Sequence, residues 1–140
     1  MDLKQKFRDF AAAFEVAYAT DDWSVIAPHF TEDASYTYSD GSDAAVGREA
    51  VLQKLHTSVN ELDRKMDQRE VAFQDVSVDG DTVTARWSGR YTKHGLPPLD
   101  VSGEEVARFS GGLISELESV IYDDSIAAFG AWMKAHGSSL

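Results

Sequence analysis

The 140-residue sequence contains no cysteine. That excludes a disulfide framework, a thiolate metal site and a cysteine nucleophile. No apolar run approaches the roughly 18 residues of a membrane-crossing helix. No basic stretch leads into a long apolar core at the N-terminus, so no signal peptide is expected and a cytoplasmic protein is. Basic residues are scarce, with 13 Lys+Arg against 24 Asp+Glu and a formal net charge of -11. Such a chain repels phosphate at long range, which argues against a nucleic-acid partner. The four histidines are scattered, with no HxxxH or HxH spacing. Asp79-Gly80-Asp81 is a turn that lacks the remaining spacing of a calcium loop. No glycine-rich loop opens a helix to cradle phosphate, and no Gly-x-Ser-x-Gly elbow presents a serine. Neither a metal nor a cofactor is therefore expected.

What is present is apolar and aromatic: 43% hydrophobic residues, including 7 Phe, 5 Tyr and 3 Trp. One domain over 1–140 suits the length, and a chain of this size buries roughly two-thirds of its unfolded surface without a staple. Residues 3–20 place Leu3, Phe7, Phe10, Phe14 and Ala17/Tyr18 at helical steps of three and four. Trp23, Ile26 and Phe30 fit a short helix broken near Pro28. Residues 34–38 alternate, so Tyr36 and Tyr38 share one strand face. Ser39-Asp40-Gly41-Ser42-Asp43 reads as a loop. A second amphipathic helix after Gly47 carries Val51, Leu55, Val59, Leu62 and Met66.

From Arg69 the period changes to two. Strands are expected over 70–78, 82–92, 100–109 and 113–122, with hairpin turns at Asp79-Gly80 and Gly111-Gly112. A last helix over 125–136 is capped from Asp123-Asp124-Ser125 and ends before Gly137. The order predicts an α+β fold: helices on one face of a curved antiparallel sheet, forming a cone whose open end is a small-molecule pocket.

The pattern resembles the nuclear-transport-factor-two-like superfamily, in its SnoaL-like polyketide cyclase and steroid isomerase branch. The carrying residues are the aromatic first helix with Asp22-Trp23, and Phe30-Thr31-Glu32-Asp33-Ala34 leading into Tyr36. Gly47-Arg48-Glu49-Ala50-Val51 and Arg108-Phe109-Ser110-Gly111-Gly112-Leu113-Ile114 complete it. The resemblance covers essentially the whole chain, and it implies a homodimer. Such a fold hosts isomerases, dehydratases, epoxide hydrolases, adaptors and non-catalytic modules, so it does not itself name an activity. The steroid isomerases' helix tyrosine falls on Phe14, their strand base on Tyr38 and their protonated aspartic acid on Glu105. That pattern disfavours steroid isomerisation. The epoxide hydrolases' arginine between two aspartates finds no trio on the assigned strand faces. The cyclases ask for one pocket acid, which Glu105 meets.

Glu105 alternates with Val101, Gly103, Ala107 and Phe109, an apolar face that lines the cone. A carboxyl there is desolvated and suited to acid–base work near neutral pH. The alternative is pairing with Arg86, Arg90 or Arg108, or a register that turns it outward. Tyr38 and His56 complete the candidate catalytic set. Tyr38 stands where the family's base would be. His56 either turns toward the sheet or remains a half-exposed flank of its helix. His29 and His94 read as surface. Phe14, Tyr18, Trp23, Phe30, Tyr36, Trp87, Tyr91 and Phe109 are candidate wall residues for a small apolar ligand; the alternative is that they fill the cone as core. Trp132 and Phe129 cover either the mouth or a neighbouring subunit. Glu104, Glu116, Glu118, Asp123 and Asp124 alternate outward as a solvated face. Two functions follow: a cofactor-independent isomerase, cyclase or dehydratase acting on an apolar carbonyl compound, or a non-catalytic binding module or dimeric scaffold. A transport-type adaptor would need an exposed hydrophobic patch that the sequence does not display.

Overall fold

The computed structural model describes residues 2–39 and 41–140, so Asp40 of the expected loop lies outside the described residues. Helix α1 (Leu3–Thr20) begins at Asp2, whose side chain accepts from the Gln5 N–H at 3.2 Å. It ends at Asp21, which takes a left-handed conformation and returns its N–H to the Ala17 carbonyl. Its stripe buries Phe7, Phe10 and Ala17. A 3-10 segment over Trp23–His29 contains Pro28 and delivers the chain into strand β1 (Phe30–Tyr38). This strand starts four residues earlier than alternation alone indicates. The two-residue β2 (Ala45–Val46) pairs with it, and helix α2 (Arg48–Glu61) follows. Met66 lies past the end of α2, after a 3-10 turn over Asp63–Lys65, rather than on its stripe.

Strands β3 (Gln68–Asp79), β4 (Thr82–Thr92), β5 (Leu99–Ser110) and β6 (Leu113–Ile121) form an antiparallel meander. The β5–β6 turn needs positive φ at two successive residues, which Gly111 (59°) and Gly112 (82°) supply. The sheet order is β2-β1-β6-β5-β4-β3. The β1–β6 contact is parallel, while the consecutive strands β3 to β6 pair antiparallel as expected. Bulges bend the sheet, one in β3 where Asp75 has φ 53° and one between β5 and β6 beside Phe109.

Helix α3 (Asp123–His136) starts two residues before the expected position, with Asp123 and Asp124 in its first turn. It packs on β5. None of the described helices is long and apolar enough to cross a membrane.

The closed end of the cone is solid. Phe7, Ile26, Phe30, Val51, Val83 and Ile114 are fully excluded from solvent there. Phe10 meets the Phe30 ring edge-on at 5.4 Å between centroids. A second, smaller cluster joins α3 to the sheet through Trp132, Leu99, Tyr91 and Met66. Trp132 donates its indole N–H to the Pro97 carbonyl at 2.9 Å, so it anchors α3 within this chain.

Candidate functional site

Strand register decides what faces the open end. One inward row runs Tyr38–Ser119–Glu105–Ala85 across β1, β6, β5 and β4. The next runs Ile121–Gly103–Trp87–Phe73. Helices α1, α2 and α3 close over these rows and leave a cavity of about 850 Å³. Exposed Ser42, Thr57 and Glu61 mark its mouth.

Glu105 is walled in by protein, and solvent reaches it through the cavity. Burial pushes its carboxyl up to about 8, opposed by a hydrogen bond from Ser119 and reinforced by the charge of Glu118. The proposed arginine partners are engaged elsewhere. Arg86 pairs with Asp75, Arg90 with Asp100 and Arg108 with Glu116. Among the described residues, no Lys or Arg forms an ion pair with Glu105. Ser119 is buried and shares a 2.9 Å hydrogen bond with the Tyr36 hydroxyl. The Tyr36 and Tyr38 rings meet edge-on at 6.5 Å. Glu105, Ser119, Tyr36 and Tyr38 thus form one polar cluster on an otherwise apolar wall.

A second polar cluster borders the same cavity. Arg69 lies on the inward face of β3, and its side chain is only 8% exposed. Its Nε donates to Asp63 at 2.6 Å, and its Nη1 donates to Glu15 at 2.8 Å. The guanidinium lies over the Tyr18 ring at 4.5 Å. Burial opposes the charge of Arg69, but bonds and charges from Glu15 and Asp63 outweigh it and raise its pKa. Burial raises the Asp63 pKa against the pull of Arg69. Burial, then the charge of Asp63, raises the Tyr91 phenol far above its usual value. An arginine held between two carboxylates is therefore present, although the strand faces alone suggest no such trio. Glu15 and Asp63 come from α1 and from the turn after α2, where strand periodicity says nothing. Arg69 itself was legible: it stands in phase with Val71 and Phe73 once β3 is begun at Gln68.

The structure brings Glu105, Tyr38, Phe14, Tyr36, Trp87 and Tyr91 to the cavity. It does not bring the other candidates there. His56 stacks on Trp23 at 5.3 Å, and its Nε2 lies 3.0 Å from Asp21 Oδ1. One helical step past Leu55 turns it toward the end of α1 rather than the sheet. Trp23 is buried beneath it and donates its indole N–H to Asp21. Tyr18 lies behind Arg69 and stacks with Arg64 and Arg69. Phe30 and Phe109 are core at the closed end, at 0% and 5% exposure. His29 is half-buried against Phe10 rather than on the surface, and burial lowers its pKa. Phe129 lines the cavity, which places part of α3 at the mouth. No group of His, Asp and Glu residues suited to a metal ion occurs among the described residues.

A bent sheet closed by helices around a polar-studded apolar cavity is the architecture of the cone-fold pocket domains. The sequence profile of the SnoaL-like domain matches residues 8–117. The chain belongs to that family. No curated protein sequence matches. Among solved structures, a putative SnoaL-like polyketide cyclase from Jannaschia sp. CCS1 is similar at 17% identity and TM-score 0.70, covering 94% of each chain. TerC, co-crystallised with polyporic acid, is similar at 12% identity and TM-score 0.70, over 92% of this chain and 98% of that one. A Catenulispora acidiphila protein of ketosteroid isomerase-like fold, in complex with trimethylamine, is 18% identical at TM-score 0.65, over 85% of this chain and 89% of that one. At these identities the likeness concerns the fold.

Proposed function

We propose that this protein binds a small apolar carbonyl compound in the cone and moves a proton on it through Glu105, without a cofactor. The observation that carries the reading is a carboxyl with no cationic partner among the described residues, held at a pKa of about 8 inside an apolar cavity. A group poised near neutrality serves as acid in one form and base in the other. In the reaction, the Glu105 carboxylate takes a proton from the carbon next to the carbonyl. The enolate oxygen that forms accepts a hydrogen bond from Tyr38, in the same row. Returning the proton to a different carbon completes an isomerisation. The Trp87 indole N–H is buried without a partner among the described residues, and a ligand acceptor would satisfy it. TerC, a neighbour of this fold, is co-crystallised with polyporic acid, which supports a small-molecule ligand in the cone. In this reading the protein acts in the cytoplasm as a homodimer of one-domain chains.

The test is hydrogen–deuterium exchange at the methyl group of 2-acetylnaphthalene in heavy water, followed by NMR. We expect the protein to accelerate exchange, with a rate rising through pH 8 as Glu105 ionises. Glu105→Gln is expected to lower the rate by about 10²–10⁴-fold. Binding without accelerated exchange would instead favour the non-catalytic module, which Phe14 and Tyr38 at the family's catalytic positions already support. His56→Ala serves as the control. It lies outside the cavity, so exchange is expected within about twofold of the parent. Loss of its stack on Trp23 is expected to reduce stability by about 1 kcal/mol in urea titration. A collapse of exchange in that variant would place His56 in the chemistry after all.

A further inference from the structure

Glu105 accounts for one polar cluster of the cavity, but the reaction proposed for it leaves the second unused. We infer that the Asp63–Arg69–Glu15 cluster with Tyr91 is a distal subsite that selects ligands bearing a hydrogen-bond donor, such as a hydroxyl, remote from the reacting carbonyl. The inference rests on the reading of the cavity given above and names the class of ligand within it.

The placement supports this. Arg69, Asp63, Glu15 and Tyr91 all border the cavity that Glu105 borders. Arg69 and Tyr91 face each other directly across β3 and β4, well along the strands from the Glu105 row. Charge supplies the selectivity. One guanidinium faces two carboxylates, so the cluster carries an excess negative charge. Arg69 gives its Nε to Asp63 at 2.6 Å and its Nη1 to Glu15 at 2.8 Å, which leaves Nη2 to donate to a ligand. A carboxylate accepts at up to about four lone-pair positions, and the Arg69 Nε occupies one of those of Asp63. What the cluster offers a ligand is therefore carboxylate acceptors beside one N–H donor, within a net negative charge, and a hydroxyl can meet both. A hydroxyl or amine N–H would be held. A carboxylate or phosphate at that end would meet the uncompensated negative charge of the two carboxylates. A simple structural clamp joining α1, the turn after α2 and β3 would need Arg69 and its acids but would make no such distinction.

The experiment compares three probes: 2-acetylnaphthalene, its 6-hydroxy derivative and its 6-carboxylate. Affinities are measured by quenching of tryptophan fluorescence. We expect the hydroxyl to tighten binding about tenfold, the gain of a hydrogen bond to a charged acceptor. The carboxylate is expected to bind at least about tenfold more weakly than the hydroxyl compound. Asp63→Asn and Glu15→Gln should each shrink the hydroxyl gain to within about twofold of none, and Glu15→Gln keeps the test open if Asp63→Asn does not fold. Glu105→Gln should retain the gain, which separates this subsite from the acid–base reading. A hydroxyl effect near unity in the parent protein overturns the inference. So does a gain that survives both Asp63→Asn and Glu15→Gln, or a carboxylate that binds as well as the hydroxyl compound. Failure of all three probes to bind would remove the cavity reading itself, and the subsite with it.

Discussion

Glu105→Gln is expected to make the protein more stable than its parent at alkaline pH, by a margin that opens between pH 5 and pH 8. The folded protein holds the Glu105 carboxyl at about 8, whereas the unfolded chain releases its proton near the ordinary value of 4.5. Between those two values the folded state binds the proton more tightly. Stability from this group is therefore fully present below about pH 4.5 and is lost as pH rises through about 8. The displacement is worth on the order of 5 kcal/mol. Glutamine has the same shape, can still meet Ser119 and never carries charge, so it escapes the loss. Urea titrations of both proteins at pH 5, 6, 7, 8 and 9 read the difference directly. Taking the difference cancels every other titrating group, including Asp63 and His29. Parallel stability curves across that range would mean that Glu105 is hydrated or paired in solution, and would remove the basis of the acid–base reading. In the proposed reaction, the substitution that slows proton transfer thus also relieves a burden on the fold. Groups kept charged in apolar surroundings for chemistry commonly oppose stability in this way.

Much of this arrangement can be read from the chain alone. Period two over Val83–Tyr91 and Val101–Phe109 assigns the inward faces, and that assignment carries Glu105 to the cavity side before any coordinates are known. The stripe of α1 is equally plain. Periodicity gives a face, however, and not a depth along it. Phe109 and Glu105 share a face of β5, yet Phe109 fills the closed end while Glu105 opens onto space. Whether an aromatic residue lines the cone or plugs it depends on where the helices close over the sheet, which no single strand encodes. The same limit applies across elements. Arg69, Asp63 and Glu15 meet from a strand, a turn and a helix, and the parallel pairing of β1 with β6 joins segments some 80 residues apart. His56 shows how fine the margin is on a helix: a neighbour of buried Leu55 by sequence, it lies one step of rotation away from the core and pairs with Asp21 instead. A resemblance to a family supplies the cone, but not which polar residues this chain puts inside it.

Two residues from Glu105 along β5, a substitution of opposite sign is expected. Gly103→Ala should destabilise the protein by about 3 kcal/mol or more, toward or beyond the upper end for overpacking. Gly103 pairs with Ile121 on β6 and with Trp87 on β4. A methyl group added there would lie 2.0 Å from the Val120 carbonyl oxygen and 3.0 Å from the Trp87 ring. The ring could swing aside, but the carbonyl belongs to the backbone of the neighbouring strand and yields only if β5 and β6 part. Those are the strands that set Ser119 opposite Glu105. The change should therefore loosen the polar cluster as well as the sheet. We expect the urea midpoint of Gly103→Ala to fall and the affinity for 2-acetylnaphthalene to fall with it, while Glu105→Gln raises the midpoint at pH 8. A midpoint for Gly103→Ala within about 1 kcal/mol of the parent would show that β5 and β6 are not in the register that builds this wall, since no small side-chain movement can admit a methyl against a carbonyl oxygen. The contrast between the two neighbours follows from what each faces. Glu105 points into empty volume, where the penalty is electrostatic and is relieved by removing charge. Gly103 points into backbone, where the penalty is steric and is avoided only by having no side chain.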